Sequence, residues 1–372
     1  MLVDDGDPTE PPTKDRSGVN MHPSHPPLEV THVGPSPSQL GGMETVLRAY
    51  SEATWPSFSM SVVTSSVRGR VGTRLRTIFQ AYREVRRARH RCLHFHLSHR
   101  GSFIREGFLI LRAPRTNGLF ATIHGSDFVR TTRESWLWRL IYRTVLGRLS
   151  GVAVLNEDAR SAVTGLVAGT SVSILPNPGP IDAQPEDLSF TGDRKVLFAG
   201  RVGHRKGVDT LIRAWDSVRE RYPDASLLLF GPLDADLDPD IEARLPEFHR
   251  GEQSPSATHA ALRDSACAVL PSRAEGQPMF LIEALAFGVP LVVSDVGGMP
   301  GLAMGCGLVV ERDNPGALAD ALCEVLAGGE PVREMRKRAR DKYAGSFSIA
   351  AHDERLRQFY GLAPSRSIVQ ER

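Results

Sequence analysis

The sequence reads as an α/β protein of two parallel-sheet domains, and three observations carry that reading. Short apolar runs alternate with longer stretches of helical periodicity, the pattern of strands joined by crossover helices. A length of 372 residues suits two cores better than one. Between the halves stands Pro176-Asn177-Pro178-Gly179-Pro180, a cluster of breakers that marks a linker. The expected divisions are a disordered segment over 1–27, a first domain over 28–180, a second over 181–345, and a closing helix and tail over 346–372.

The first domain opens with a strand over Leu28–Gly34. Gly41 and Gly42 then start a helix over Met43–Glu52, and paired glycines at such a turn let backbone approach a ligand closely. There is no GxGxxG here, so a dinucleotide fingerprint is absent. A second strand covers Phe58–Val63, followed by an arginine-rich helix over Thr73–Arg89. Cys92–Leu97 is a third strand, Phe103–Leu111 a helix and Leu119–Ile123 a fourth strand. The last ends in His124-Gly125-Ser126-Asp127-Phe128, which places His124 at the crevice where parallel sheets bind ligands. A lone histidine is more often structural, and both readings stand on spacing alone. Helices over Trp136–Leu149 and Asp158–Val167, with strands over Ala153–Leu155 and Val172–Leu175, complete the domain.

The second domain opens with a strand over Lys195–Phe198 and a turn over Gly200–Gly207, then a helix over Val208–Tyr222. Arg201 and Lys206 sit among glycines just after the strand, where a planar fork and a point charge suit phosphate oxygens. Arg205 is an alternative ligand that spacing does not exclude, and a solvated basic turn is the plainer reading. Ser226–Phe230 is a strand ending in Gly231-Pro232. The acidic tract from Asp234 is expected as a loop, without the glycine and closing glutamate of a calcium loop.

The stretch Ala266–Pro300 follows: a strand over Cys267–Leu270, a loop, then a helix with Pro278 at its first position. Gly288 and Pro290 end that helix, and a strand over Leu291–Val293 comes next. A strand over Gly307–Val310 and helices over Pro315–Leu326 and Ile349–Tyr360 close the chain.

Two carboxylates in that stretch, Glu275 and Glu283, flank a helix start. The N–H groups of Gly276, Gln277, Met279 and Phe280 are those a helix leaves over, and they favour an anion. Anion donors between two hydroxyl acceptors suit a ligand with phosphate in its middle and hydroxyls at both ends, such as a nucleotide sugar. The plainer reading makes Glu275 a loop charge and Glu283 a surface residue.

Composition sets the remaining bounds. Apolar content of 41% and charge of 24% are ordinary for a soluble globular protein. No run of 18 apolar residues occurs, so no transmembrane helix is expected. The acidic, proline-rich start is unlike a signal peptide. The 4 cysteines are scattered without CxxC spacing or clustered histidines, which argues against a zinc site and for a reducing cytoplasm. Net charge is +2, but residues 28–180 carry 20 arginines against 9 acidic residues, and residues 181–345 carry 19 basic against 26 acidic. Either the chain is simply rich in arginine, or its first domain meets an anionic surface.

The stretch from Glu275-Gly276 through Glu283-Ala284 to Gly288-Val289-Pro290 resembles the donor-site signature of the retaining glycosyltransferases of family 4. Arg201 and Lys206 match that family's diphosphate-binding pair, Gly41-Gly42 its glycine turn, and His124 its motif against the donor sugar. The likeness runs from about residue 28 to 360. Gly301 departs from it, where the family often has Glu.

The resemblance implies a GT-B fold, two Rossmann-like domains facing across a cleft, with the closing helix returning to the first. It implies transfer from a nucleotide-sugar donor to a glycan or lipid-linked acceptor with retention of configuration, with no metal or other cofactor. His124, Arg201, Lys206 and Glu275 would serve the reaction. Gly41, Gly42, Gly231, Gly276, Gln277, Met279, Phe280 and Glu283 would bind the donor, Gly231 beside the nucleobase. No nucleic-acid partner is expected. The expected place is cytoplasmic, peripheral on the inner membrane face. A sugar-nucleotide epimerase or hydrolase of the same fold, or an inactive scaffold, are the rival readings.

Overall fold

The structure, a computed structural model, describes residues 27–39, 41–88, 91–114, 118–179 and 193–362. The segment expected as disordered lies outside these residues but for Pro27, as do the domain junction at 180/181 and the tail from 363.

The first sheet contains β1 (Leu28–Pro35), β2 (Phe58–Ser66), β3 (Cys92–Leu97), β4 (Leu119–Ile123), β5 (Gly151–Val154) and β6 (Ser171–Ile174). Its order is β2-β1-β3-β4-β5-β6, with every pairing parallel. The helices between these strands are α1 (Gly42–Glu52), α2 (Val71–Arg87), α3 (Arg100–Arg112), α4 (Phe128–Glu134), α5 (Trp136–Leu146) and α6 (Glu157–Leu166).

The second sheet contains β7 (Lys195–Ala199), β8 (Ser226–Phe230), β9 (Cys267–Leu270), β10 (Leu291–Ser294) and β11 (Gly307–Val310), in the parallel order β11-β10-β9-β7-β8. Its helices are α7 (Val208–Arg221), α8 (Pro239–Glu242), α9 (Leu245–Phe248), α10 (Pro255–Arg263), α11 (Met279–Ala286), α12 (Met299–Ala303), α13 (Pro315–Ala327) and α14 (Glu330–Ser346), with α15 (Ile349–Phe359) following.

Strand order reverses between β1 and β3 in one sheet and between β7 and β9 in the other. The carboxyl ends of strands at such reversals leave a crevice, because their crossovers leave in opposite directions. The loops after β1, β3, β7 and β9 are thereby brought to the cleft, and the loop after β4, the strand beside β3, borders it. All four residues of β9 are buried, as their uniformly apolar sequence requires for a central strand.

Several elements differ from the sequence reading. Pro278 is the N-cap, and the helix begins at Met279. The expected helix over Trp136–Leu149 ends at Leu146, and α4 precedes it. The acidic tract from Asp234 is only partly a loop, since Asp238 stands at the N-cap position of α8. The short α9 and α12, as well as α10 and α14, escaped the sequence reading. The longest of them, α14, buries only Val332, Ala339 and Tyr343 of its 17 residues, so its polar composition hides its periodicity.

The closing helix α15 packs on the first domain. Asp353 accepts from Ser57 N at 3.0 Å and Ser57 Oγ at 2.7 Å. His352 Nε2 meets Tyr50 Oη at 2.7 Å, and Tyr360 Oη meets His94 Nδ1 at 2.6 Å. These bonds, one buried and three half-buried, tie the chain's end to its beginning.

Candidate active site

A cleft of about 1310 Å³ runs between the sheets, and the residues singled out from the sequence line it. Its wall on the second domain is charged. The 3-10 turn His204–Lys206 and the left-handed Gly207 (φ 69°) bring Lys206 back over the end of β7. A side chain at Gly207 would also strike the Pro271 carbonyl, at 1.9 Å from an added Cβ. Lys206 Nζ forms an ion pair with Glu275 Oε1, and both side chains are largely buried, at 16% and 9% exposure. Arg201 is half exposed and bonds Asp234 Oδ1 at 3.0 Å. Arg205 reaches the first domain, donating to Ser126 Oγ at 3.3 Å and to the Ala274 carbonyl at 3.1 Å. Arg273 is bound to Asp209 and Asp313, so it braces the loop instead of facing the cleft.

Glu283 stands one turn into α11 and is not a surface residue: its side chain is 13% exposed. Burial pushes its carboxyl up to about 7, with Arg48 of the facing domain opposing in part. At neutral pH it can therefore donate as well as accept. His259 Nε2 lies 3.8 Å from it and has no hydrogen-bond partner of its own. Sequence reading missed His259, because it sits on the unrecognised α10. His249 Nε2 donates to the Gly231 carbonyl at 2.7 Å, which fixes the loop after β8.

The first domain's wall is different. Gly41, with φ 157°, and Gly42 open α1 at the cleft rim. His124 is half-buried at the end of β4. Burial lowers its pKa to about 4, with the Asn177 side chain partly opposing, so it is neutral at pH 7. Behind it runs a row of imidazoles: His124 Nε2 meets His96 Nδ1 at 2.9 Å, and His96 Nε2 meets His32 Nδ1 at 2.9 Å.

The two walls meet at Gly276. A Cβ there would lie 2.8 Å from the His124 carbonyl, so only glycine allows this approach. Asn177, in the linker, donates its backbone N–H to Gln277 Oε1 at 2.6 Å, and its Nδ2 donates to the Gln277 carbonyl at 3.2 Å. Gln277 is therefore held by the linker. Among the described residues no group of three or more His, Cys, Asp or Glu could hold a metal ion, and no helix is long and apolar enough to cross a membrane.

Residues 181–342 match the family described as glycosyl transferases group 1. The D-inositol 3-phosphate glycosyltransferase of Corynebacterium glutamicum (strain R) is 32% identical over 178 residues, which cover 44% of this chain and 42% of that protein. The phosphatidyl-myo-inositol mannosyltransferase of Mycobacterium tuberculosis (strain CDC 1551 / Oshkosh) is 28% identical over 250 residues, 63% of this chain and 64% of that protein. The chain thus spans less than half the length of the first of these relatives. Among solved structures, Anabaena Alr3699/HepE in complex with UDP and glucose superposes with a TM-score of 0.66 at 14% identity, covering 90% of this chain and 99% of that one. The second domain, over residues 181–342, is thus similar to the group 1 glycosyl transferases, and the chain has the GT-B fold.

Proposed function

We propose that the chain is a retaining, metal-independent glycosyltransferase that moves a sugar from a nucleotide-sugar donor to a hydroxyl of a glycan or lipid-linked acceptor. The observation that carries this is the Lys206–Glu275 pair at the start of α11, inside the matched domain and facing His124 across the cleft. In the free protein each charge neutralises the other. A donor offers both new partners: its diphosphate to Lys206, its sugar hydroxyls to Glu275. Arg201 can likewise exchange Asp234 for phosphate. The two relatives are named for transfer to inositol phosphates, and the HepE complex contains UDP, which makes UDP-sugars the first donors to try.

In the reaction the bond from the sugar's anomeric carbon to the diphosphate oxygen breaks, and its electron pair leaves with the diphosphate. Negative charge builds there, where Lys206, Arg201 and the N–H groups at Gly276–Phe280 are fixed beforehand. Fixed charges aimed at a leaving group stabilise the transition state without reorganising. The acceptor oxygen bonds the same face of that carbon, and its proton passes to the departing phosphate. Two cations on the diphosphate take the place a metal would fill. Gly41, Gly42, Gly231 and Glu283 line the cleft for the donor's remaining contacts, with Glu283 assigned to the ribose hydroxyls.

We also assign the acceptor to a membrane. Three adjacent helices of the first domain expose apolar residues at helical spacing: Leu75 and Phe79 on α2, Ile104 and Phe108 on α3, Trp136 and Leu140 on α5. Arginines surround them, with Arg83 over Phe79 and Arg112 over Phe108. Such a face suits an anionic bilayer surface. Arg74 and Ile78 of the same α2 line the cleft, so a lipid-linked acceptor could enter there with its tail still in the membrane. On this reading the protein works at a cytoplasmic membrane face, in glycoconjugate or polysaccharide synthesis.

The test is to supply a panel of nucleotide sugars alone, then with lipid-linked and oligosaccharide acceptors, all in excess chelator. Nucleoside diphosphate should appear only with acceptor, and the product should keep the donor's anomeric configuration. Release without acceptor would favour a hydrolase or epimerase. Activity restored only by magnesium or manganese would remove the metal-independent reading.

A further inference from the structure

The first domain buries histidines where a parallel sheet ordinarily carries apolar side chains. His32 on β1 stands in register with His94 on β3, and His96 follows two residues on, so all three share a face. His94 is engaged sideways, by Tyr360 Oη at 2.6 Å and Thr122 Oγ1 at 2.7 Å. The other two continue into the cleft through His124.

This row has a direction. A neutral imidazole has one N–H and one bare nitrogen, so each ring passes a hydrogen bond one way. At the inner end His32 Nε2 faces Met60 Sδ at 3.3 Å. A thioether accepts and cannot donate, so the proton belongs on His32 Nε2. His32 Nδ1 is then bare and takes the N–H of His96 Nε2. His96 Nδ1 is bare in turn and takes the N–H of His124 Nε2. The reverse order would set a bare, buried nitrogen of His32 against the sulfur lone pairs. Burial disfavours charge along the whole row, which keeps each ring neutral.

We propose that His96 and His32 are positioning residues that hold His124 as the Nε2–H tautomer, so that His124 Nδ1 accepts a hydrogen bond from a hydroxyl of the bound sugar. The sugar as ligand rests on the function proposed above; the tautomer does not.

Long-range nitrogen–proton correlation spectra of histidine-labelled protein read the tautomer directly, in the absence of substrate. Wild-type His124 should carry its proton on Nε2. His96→Phe should release it into a mixture of both tautomers and raise the donor KM about tenfold, with a smaller change in kcat. His96→Gln should restore both readouts in part, since its amide accepts and donates along the same line. Met60→Leu, a conservative change at the far end, should also shift His124 towards the mixture. An Nδ1–H tautomer in the wild type would overturn the proposal, as would an unchanged Nε2–H signal in both His96→Phe and Met60→Leu. A protein that transfers no sugar still answers the tautomer question, and an active one with the opposite tautomer sinks only this inference.

Discussion

The two walls of the cleft are built on opposite electrostatic plans. The second domain presents charges that are already paired, Lys206 with Glu275 and Arg201 with Asp234. The first presents a neutral imidazole whose protons are set by buried neighbours. Paired charges can exchange a protein partner for a ligand at modest cost, which suits a diphosphate that must bind, gain charge and leave. A neutral row can discriminate among hydroxyls without competing for phosphate. On the proposed reading, the difference gives charge stabilisation to one domain and sugar orientation to the other.

The largest expected effect breaks the charged wall. Lys206→Ala removes a cation and leaves Glu275 buried without its partner, so kcat should fall by about a hundredfold, within the roughly 1.5–3 kcal/mol of a charged hydrogen bond. Arg201→Ala should cost about tenfold, because that side chain is half exposed and screened. Steady-state kinetics with a saturating acceptor measures both. Equal losses would erase the distinction between a buried and an exposed cation.

Glu283 offers a second test, through pH. Its folded pKa of about 7 lies above its ordinary 4.5 because of burial. The folded state therefore binds this proton more tightly than the unfolded state does. The resulting stability is full below about 4.5 and is lost as pH rises through about 7. A shift of that size corresponds to at most about 3 kcal/mol. Glu283→Gln stays neutral, so urea unfolding at pH 5 and pH 8 should show a smaller fall in stability than in the wild type. Identical falls in the two proteins would mean that Glu283 is ionised throughout.

The tie between the domains comes next. Asp353→Ala strips both hydrogen bonds from Ser57 and should destabilise by about 1–3 kcal/mol, read as a lowered Tm. The exposed pair Arg219–Glu247 is the control: Glu247→Gln should cost about 0–1 kcal/mol. Similar costs would show that α15 adds little to the union of the domains.

The contrast between the walls also explains what sequence could reveal. β3, β4, β8, β9 and β11 are legible to the residue: all but β3 are short apolar runs closed by glycine, proline or a polar turn, and β3 sets Leu93, Phe95 and Leu97 on one face with His94 and His96 on the other. The charged wall was legible for the same reason: Arg201, Lys206, Glu275 and Glu283 all lie in loops or first turns beside such strands. The histidine row was not. His94 and His96 advertise a shared face by their spacing of two, but His32 and Met60 join them only through sheet order, and Tyr360 and His352 only through α15. Partners set by tertiary packing leave no local pattern. Helix α14 failed differently, because it buries few residues and its half-buried Arg336 spends its guanidinium on the Ser265 carbonyl at 2.8 Å. A half-buried arginine reads as a surface residue in any periodicity count.

The smallest effects per residue belong outside the cleft, where the first domain's charge excess meets solvent. If the α2–α3–α5 face rests on an anionic bilayer, each arginine near the surface contributes about 1 kcal/mol, or about fivefold in partitioning. Arg76→Gln and Arg87→Gln, both on exposed positions of α2, should each weaken vesicle flotation by about that factor. Phe79→Ser should weaken it too, but through lost apolar burial, and so with little dependence on salt. The arginine effects should shrink as salt shortens the Debye length from about 10 Å at 0.1 M to about 3 Å at 1 M. The second domain carries the opposite net charge, so Arg333→Gln on its α14 should change nothing. Flotation of the wild type with anionic vesicles at low salt, and its loss with neutral vesicles, is the result that keeps the two domains distinct. Equal flotation with both lipids, or with neither, would reduce the arginines to composition and make a soluble acceptor the better reading.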